Sequence, residues 1–261
     1  MTAVHRRRVL VVLLLLALAA PMGCETVPYT GRRQIQLVSS AEEAQMGVQS
    51  FQQIVGKATL STDAQQNALV QRVGGRIAAV TDLGYQWEFR VIQDDKQVNA
   101  FALPGGKVAV YTGMLPVSRD EAGLAAVLGH EIGHVLARHG GERVSQQMGV
   151  QTVTQVLAGM ASSNPATVQL VSAALGAGAS VGVLLPWGRA QESEADHLGL
   201  ILMAKAGYDP RAALELWKRM AEAAKGQRPP EFLSTHPSEA TRIQQIEGWL
   251  PEALTYYRPA R

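Results

Sequence analysis

The chain has a single cysteine, Cys24, among 261 residues, so no disulfide can form within it. Charge of one sign is also lacking: 24 Lys and Arg stand against 22 Asp and Glu, and the net +2 becomes −1 once Arg6, Arg7 and Arg8 are set aside. A near-neutral body excludes the basic face that nucleic acid requires. There is no internal repeat, and the sequence after the last helical pattern is too short for a tetratricopeptide-repeat domain. Long apolar runs are missing too. Residues 9–20 are too few to cross a bilayer comfortably. Residues 168–185, rich in Ala, Gly, Val and Leu, are interrupted by glycine and serine, which favours a helical hairpin and keeps a lipid-facing surface as the other reading. What is present is 47% hydrophobic content, enough for one sizeable core.

The apolar run at 9–20 follows a basic stretch and leads through Pro21, Met22 and Gly23 to Cys24, the order of an export signal. Cys24 occupies a position similar to the lipid-bearing cysteine of bacterial lipoproteins, with Pro21 where leucine is usual. The expectation is a signal peptide over residues 1–23, a lipidated Cys24, a tether over 24–39 containing Pro28 and Gly31, and one domain over 40–261. That places the chain on the periplasmic face of a bacterial outer membrane, held by its lipid.

Ser40-Ala-Glu-Glu43 reads as a capping box ahead of a helix to about residue 55, and a second helix covers 63–80. Strands are expected at 86–92, 98–103 and 107–112, the last two joined by a Pro104-Gly105-Gly106 turn into a hairpin. Another capping box, Ser118 to Glu121, opens a helix whose last turn holds Arg138 and His139 and which Gly140-Gly141 ends. Leu124, Leu128, Ile132 and Val135 give it a core-facing stripe. Further helices are expected at 189–206, from Asp209-Pro210 to about 225, and at 238–249.

Within the helix after Ser118 lies His130-Glu131-Ile132-Gly133-His134, of the form H-E-x-x-H. Two histidines one turn apart share a helix face and converge on one ion, but a catalytic zinc needs a third protein ligand and an open position for water. A third histidine ten residues after the first would supply it, yet that position is Gly140, and His139 is one residue short. A glutamate with an aspartate four residues later would also supply it, and Glu192-Ser-Glu-Ala-Asp196 has that form. Glu192 then binds the ion and Asp196 accepts a hydrogen bond from a ligand imidazole. Glu194 competes for the ligand role but lies about 200° around the helix from Glu192 at roughly 100° per residue. Glu131 is placed to take a proton from the metal-bound water.

The segments NAFALPGGKVAVYTGML, LAAVLGHEIGHVLARHGGER, QESEADHLGL and STHPSEATRI together resemble the gluzincin metallopeptidase family that includes HtpX, Oma and the CAAX prenyl protease. The export signal and compact length suggest its periplasmic lipoprotein-type members. The resemblance implies a mainly helical α+β zincin domain with a small sheet and an edge-strand hairpin, one zinc per chain, and peptide-bond hydrolysis in misfolded or damaged envelope proteins. It also implies an edge strand beside the metal to which a substrate pairs, with Asn99 and Ala100 as backbone contacts. His236, in the STHP segment, takes the role of a plug at the metal or of a loop residue capping the next helix, and Arg242 that of an oxyanion donor. The rival reading is a zinc-containing chaperone or assembly factor for outer-membrane proteins, which holds clients on the same edge strand without cutting them.

Overall fold

The computed structural model describes residues 24–162, 164–180, 184–224, 230–236 and 241–259; the expected signal peptide, residues 1–23, lies outside them. The described part starts with a hairpin of β1 (Cys24–Thr26) and β2 (Arg33–Ile35), then helices α1 (Ser40–Val55) and α2 (Ala64–Ala78). Strands β3 (Glu88–Ile92), β4 (Ala100–Leu103) and β5 (Lys107–Tyr111) follow. The rest of the described chain is helical: α3 (Met114–Ser118), α4 (Glu121–Leu136), α5 (His139–Ala161), α6 (Pro165–Ala179), α7 (Leu185–Lys205), α8 (Arg211–Ala224), α9 (Glu231–Thr235) and α10 (Arg242–Tyr256). This is the mainly helical α+β architecture the sequence implies.

The sheet runs in the order β3-β5-β4, with β3 parallel to β5 and β4 antiparallel to it, so β4 is an edge strand. The expected hairpin is therefore present, turned by Gly105 and Gly106, both at positive φ.

Helix α4 is buried from Gly123 to Leu136 on every side. The expected stripe of Leu124, Leu128, Ile132 and Val135 is only one wall of it. A helix enclosed in this way shows little amphipathic pattern. It packs on α7 through glycine: a Cβ added at Gly129 would stand 2.8 Å from the carbonyl oxygen of Gly199, and one at Gly199 would stand 2.8 Å from the backbone nitrogen of His130. Bare backbones thus touch where any side chain would hold them apart, and this contact brings residue 130 against residue 196.

Several local expectations shift. The first capping box uses Ser39 and Glu42, whose carboxylate accepts from the Ser39 backbone at 3.0 Å; this frees Glu43 to turn inward and accept from Arg138 Nε at 2.8 Å. Helix α4 is capped by Asp120, which accepts from Gly123 N at 2.8 Å, because Ser118 closes α3. Gly140-Gly141 does not end it either. Arg138 adopts φ 57°, and α5 begins at once with His139. Gly141 is needed for closeness, since a Cβ there would stand 2.6 Å from Gln36 Oε1.

The expected tether is instead folded against the domain. Val27 is buried, Gln34 Nε2 donates to the Ala137 carbonyl at 2.9 Å, and Leu37 N donates to Ser145 Oγ at 2.8 Å. Its attachment is mostly polar, so hydrophobic periodicity does not reveal it. Residues 165–179 form a helix with no buried residue, paired with α5 as a hairpin. Among the described residues, no helix is long and apolar enough to cross a membrane.

Candidate metal centre

His130 and His134 lie one turn apart on α4, Glu192 projects from α7, and His236 follows α9; one donor atom from each falls within 4.8 Å of all the others. Tetrahedral zinc with bonds of about 2.0–2.1 Å requires its ligand atoms to stand about 3.4 Å apart. His130 Nε2 is 3.2 Å from His134 Nε2 and 3.3 Å from Glu192 Oε2, and His134 Nε2 is 3.4 Å from Glu192 Oε1. His236 Nδ1 stands at the fourth corner, 3.2 Å from His130 Nε2 and 3.0 Å from Glu192 Oε2. Imidazole nitrogens with a carboxylate suit zinc, and these spacings are close to what it needs, with Glu192 presenting Oε2 toward His130 and Oε1 toward His134.

Each histidine on α4 is held from behind. His130 Nδ1 is 2.8 Å from Asp196 Oδ1, and Asp196 accepts from Arg242 through Nε at 2.5 Å and Nη2 at 3.0 Å. Arg242 is itself buried, with its guanidinium 3.5 Å over the Trp217 ring. Arg242 thus orients Asp196, and its other contacts are Nη2 at 3.8 Å from Glu192 Oε2 and Nη1 donating to the His236 carbonyl at 3.4 Å; the expected oxyanion role is not tested by these contacts. His134 Nδ1 is 2.8 Å from His139 Nδ1, and His139 Nε2 is 2.9 Å from Glu194 Oε2. With His134 donating to His139 and His139 donating to Glu194, His134 Nε2 is left as a lone pair facing the metal position. Glu194 is fixed in turn by Thr30 and by Arg32 Nε at 2.7 Å, and Arg32 also grips Glu142 at 2.7 and 2.9 Å.

Electrostatics follow the geometry. Burial works against a charged His130, yet Asp196 and Glu192 raise its pKa to about 9. Burial lowers His134 well below the usual histidine value and lowers His139 too, favouring neutral rings at both. Burial opposes ionisation of Asp196, but Arg242 and His130 hold its carboxyl below the usual range. Burial raises Glu131, with His236 and His130 pulling the other way.

Glu131 Oε2 accepts from the backbone nitrogen of Ala102 on β4 at 3.2 Å. Its Oε1 is buried without a hydrogen bond, although His236 Nε2 lies 3.3 Å away. A buried carboxylate oxygen left this way beside the metal position is suited to a proton arriving from water. The backbone of Asn99 faces inward: its carbonyl accepts from Tyr111 N at 3.0 Å, and its side chain accepts from Ala100 N at 2.9 Å. Alternation along an antiparallel strand then turns the backbone groups of Ala100 and Ala102 away from β5, although Ala100 itself is fully buried. Of the two expected backbone contacts, Asn99 has its carbonyl bonded to β5 and Ala100 has its N–H held by Asn99 Oδ1.

The structure therefore brings His130, Glu131, His134, Glu192, Asp196 and His236 together, with Glu194 turned away from the metal position as its helical angle requires. Cys24 is exposed in β1, away from this centre. Sequence reasoning missed His139 and Glu194 as supports and read His139 as a last-turn residue. The signal available was a histidine five residues after His134 together with a glutamate two after Glu192, but no periodicity rule joins them across a helix break at Arg138.

The profile of peptidase family M48 matches residues 64–250. The mitochondrial metalloendopeptidase OMA1 of Schizosaccharomyces pombe is 41% identical over 235 residues, covering 88% of this chain and 67% of that protein. The Saccharomyces cerevisiae protein of the same name is 36% identical over 180 residues, covering 67% of this chain and 50% of the relative. The β-barrel assembly-enhancing protease of Escherichia coli K12 is 29% identical over 229 residues, covering 85% and 46%. The chain thus spans between about half and two thirds of these relatives' lengths. Similar proteins named as mitochondrial also occur in a plant, a mammal and a fish. These names contradict the expected bacterial outer-membrane location, and the expected nearness to periplasmic lipoproteins is not confirmed by them.

Proposed function

We propose, from the premise that the chain belongs to peptidase family M48, whose members are zinc metallopeptidases, that it is an endopeptidase that cuts unfolded or misassembled polypeptides. The observation that carries this reading is the 3.2–3.4 Å spacing of donor atoms on His130, His134 and Glu192, with Glu131 Oε1 beside them and the edge strand β4 alongside. His130, His134 and Glu192 would hold the ion. Zinc, when bound, makes a water acidic and polarises a carbonyl. Glu131 takes the water's proton at Oε1 and returns it to the leaving amine, while its Oε2 stays tied to Ala102. Asp196 and His139 keep the two imidazoles in the ligand tautomer.

With the Ala100 and Ala102 N–H groups already donating to Asn99 Oδ1 and Glu131 Oε2, the outward carbonyls of β4 are the groups that accept from the backbone of an extended substrate. Backbone pairing selects for unfoldedness more than for sequence, which supports clients that have lost or not reached their fold. His236, at the fourth corner, occupies the place a water would need, so we assign this arrangement to a resting state. The test is cleavage of unfolded casein by protein loaded with one zinc per chain. The reading predicts cleavage that stops on chelation and rises in His236→Ala; metal binding with no cleavage of any unfolded client in either form would sink it.

A further inference from the structure

Between Arg143 and Arg189 the chain carries no Asp, Glu, Lys or Arg, although at 18% charged residues a stretch of that length should hold about eight. Apart from a few buried residues such as Ser145, Thr154 and Ala158, the described part of this stretch is not core. It builds most of α5, all of α6 and the start of α7, and it exposes large apolar side chains: Leu157 at 46%, Leu170 at 72%, Leu185 at 56% and Trp187 at 43%. An uncharged surface with exposed leucines needs an occupant other than water. At the foot of the hairpin, Cys24, Ile35, Leu37, Val150, Val153 and Trp187 line a mainly apolar cavity of about 620 Å³.

Two further features say what covers it. The apolar run 9–20, preceded by three arginines, precedes Cys24 by four residues in sequence, and Cys24 lines that cavity, so the described chain begins at this face directly after a segment of membrane-seeking pattern. Exposed Arg33 and Arg189 flank the uncharged region, where anionic headgroups would meet them, and Trp187, 43% exposed, lines the cavity beside them as interfacial tryptophans do; Arg143 is instead held by Gln191 and Glu192. We propose that the α5–α6 hairpin and the first turn of α7 form a docking surface that seats in one leaflet of a lipid bilayer without crossing it. The hairpin joins the two ligand-bearing helices, since α5 begins at His139 just after α4 and Glu192 lies three residues past Arg189. Docking would therefore hold the metal centre at the lipid surface, within reach of chains entering or leaving the membrane. The proposal stands independently of peptidase activity.

The test uses the full chain with vesicles of phosphatidylcholine and phosphatidylglycerol whose acyl chains are brominated. Trp187 is one of four tryptophans, and its emission is the difference between the wild type and Trp187→Phe. The expected result is quenching of that component by brominated vesicles. Leu157→Glu with Leu170→Glu, both at exposed positions, should cut vesicle-bound protein about tenfold while zinc content stays unchanged. Flotation with Trp187 unquenched would show residues 1–23 binding alone and overturn the proposal. A soluble dimer that ignores vesicles would overturn it too, by giving the surface to a second copy.

Discussion

The chemistry of the centre depends on two imidazoles being held in one tautomer, and the two are held differently. His130 leans on a carboxylate that Arg242 grips, while His134 leans on a neutral histidine backed by Glu194. Because His139 touches no metal position, its loss should act through His134. His139→Ala is expected to weaken zinc affinity by about 10–100-fold with the protein still folded, read by competition with a chromogenic chelator; His139→Gln, which can still accept from His134 and donate to Glu194, should recover part of it. Unchanged affinity in His139→Ala would remove it from the account. His130, Glu131, His134 and Glu192 were legible because metal chemistry fixes their spacing along helices. Their supports were not, because Arg32, His139 and Glu194 meet only through a left-handed turn at Arg138 and a hairpin held by polar contacts.

The elements that position these residues are set by α4 and α7, which meet backbone to backbone. Gly199→Ala would force a Cβ to within 2.8 Å of the His130 nitrogen. Neither backbone can yield without moving His130 away from Asp196, so a loss of about 1–3 kcal/mol is expected by chemical denaturation, together with weaker zinc retention. Gly248→Ala, where an added Cβ meets nothing within 4 Å, should cost far less and serves as the control. The helices and the β4–β5 hairpin were readable from caps, turns and alternation. Their ends were less so, because Ser39 and Asp120 compete as caps with neighbours of similar chemistry, and tertiary packing of Glu43 and Ser118 decides between them. The folded segment 24–38 escaped notice for a related reason, since its hold on the domain lies in side-chain hydrogen bonds that leave no periodic trace.

For the molecule as a whole, the centre gathers buried Glu131, Glu192, Asp196, His130, His134 and His139 beside the half-buried His236, an arrangement that burial penalises unless a cation is shared among them. Zinc should therefore be part of the stability as well as of the chemistry. Stripping it with a chelator is expected to lower the thermal midpoint by roughly 10 °C, and adding zinc back should restore it. An unchanged midpoint would mean that the buried cluster is balanced without metal. Location was the least legible property, because an export-type segment is common to many destinations, whereas the similar proteins named as mitochondrial come from fungi, a plant and animals. The central claim is that Glu131 performs chemistry at a zinc held by its neighbours. Metal content and casein cleavage of the wild type beside Glu131→Gln test it most directly. The account predicts about one zinc per chain in both proteins, with cleavage reduced at least a hundredfold in the variant; equal cleavage by the two, or a wild type that cleaves without metal, would contradict it.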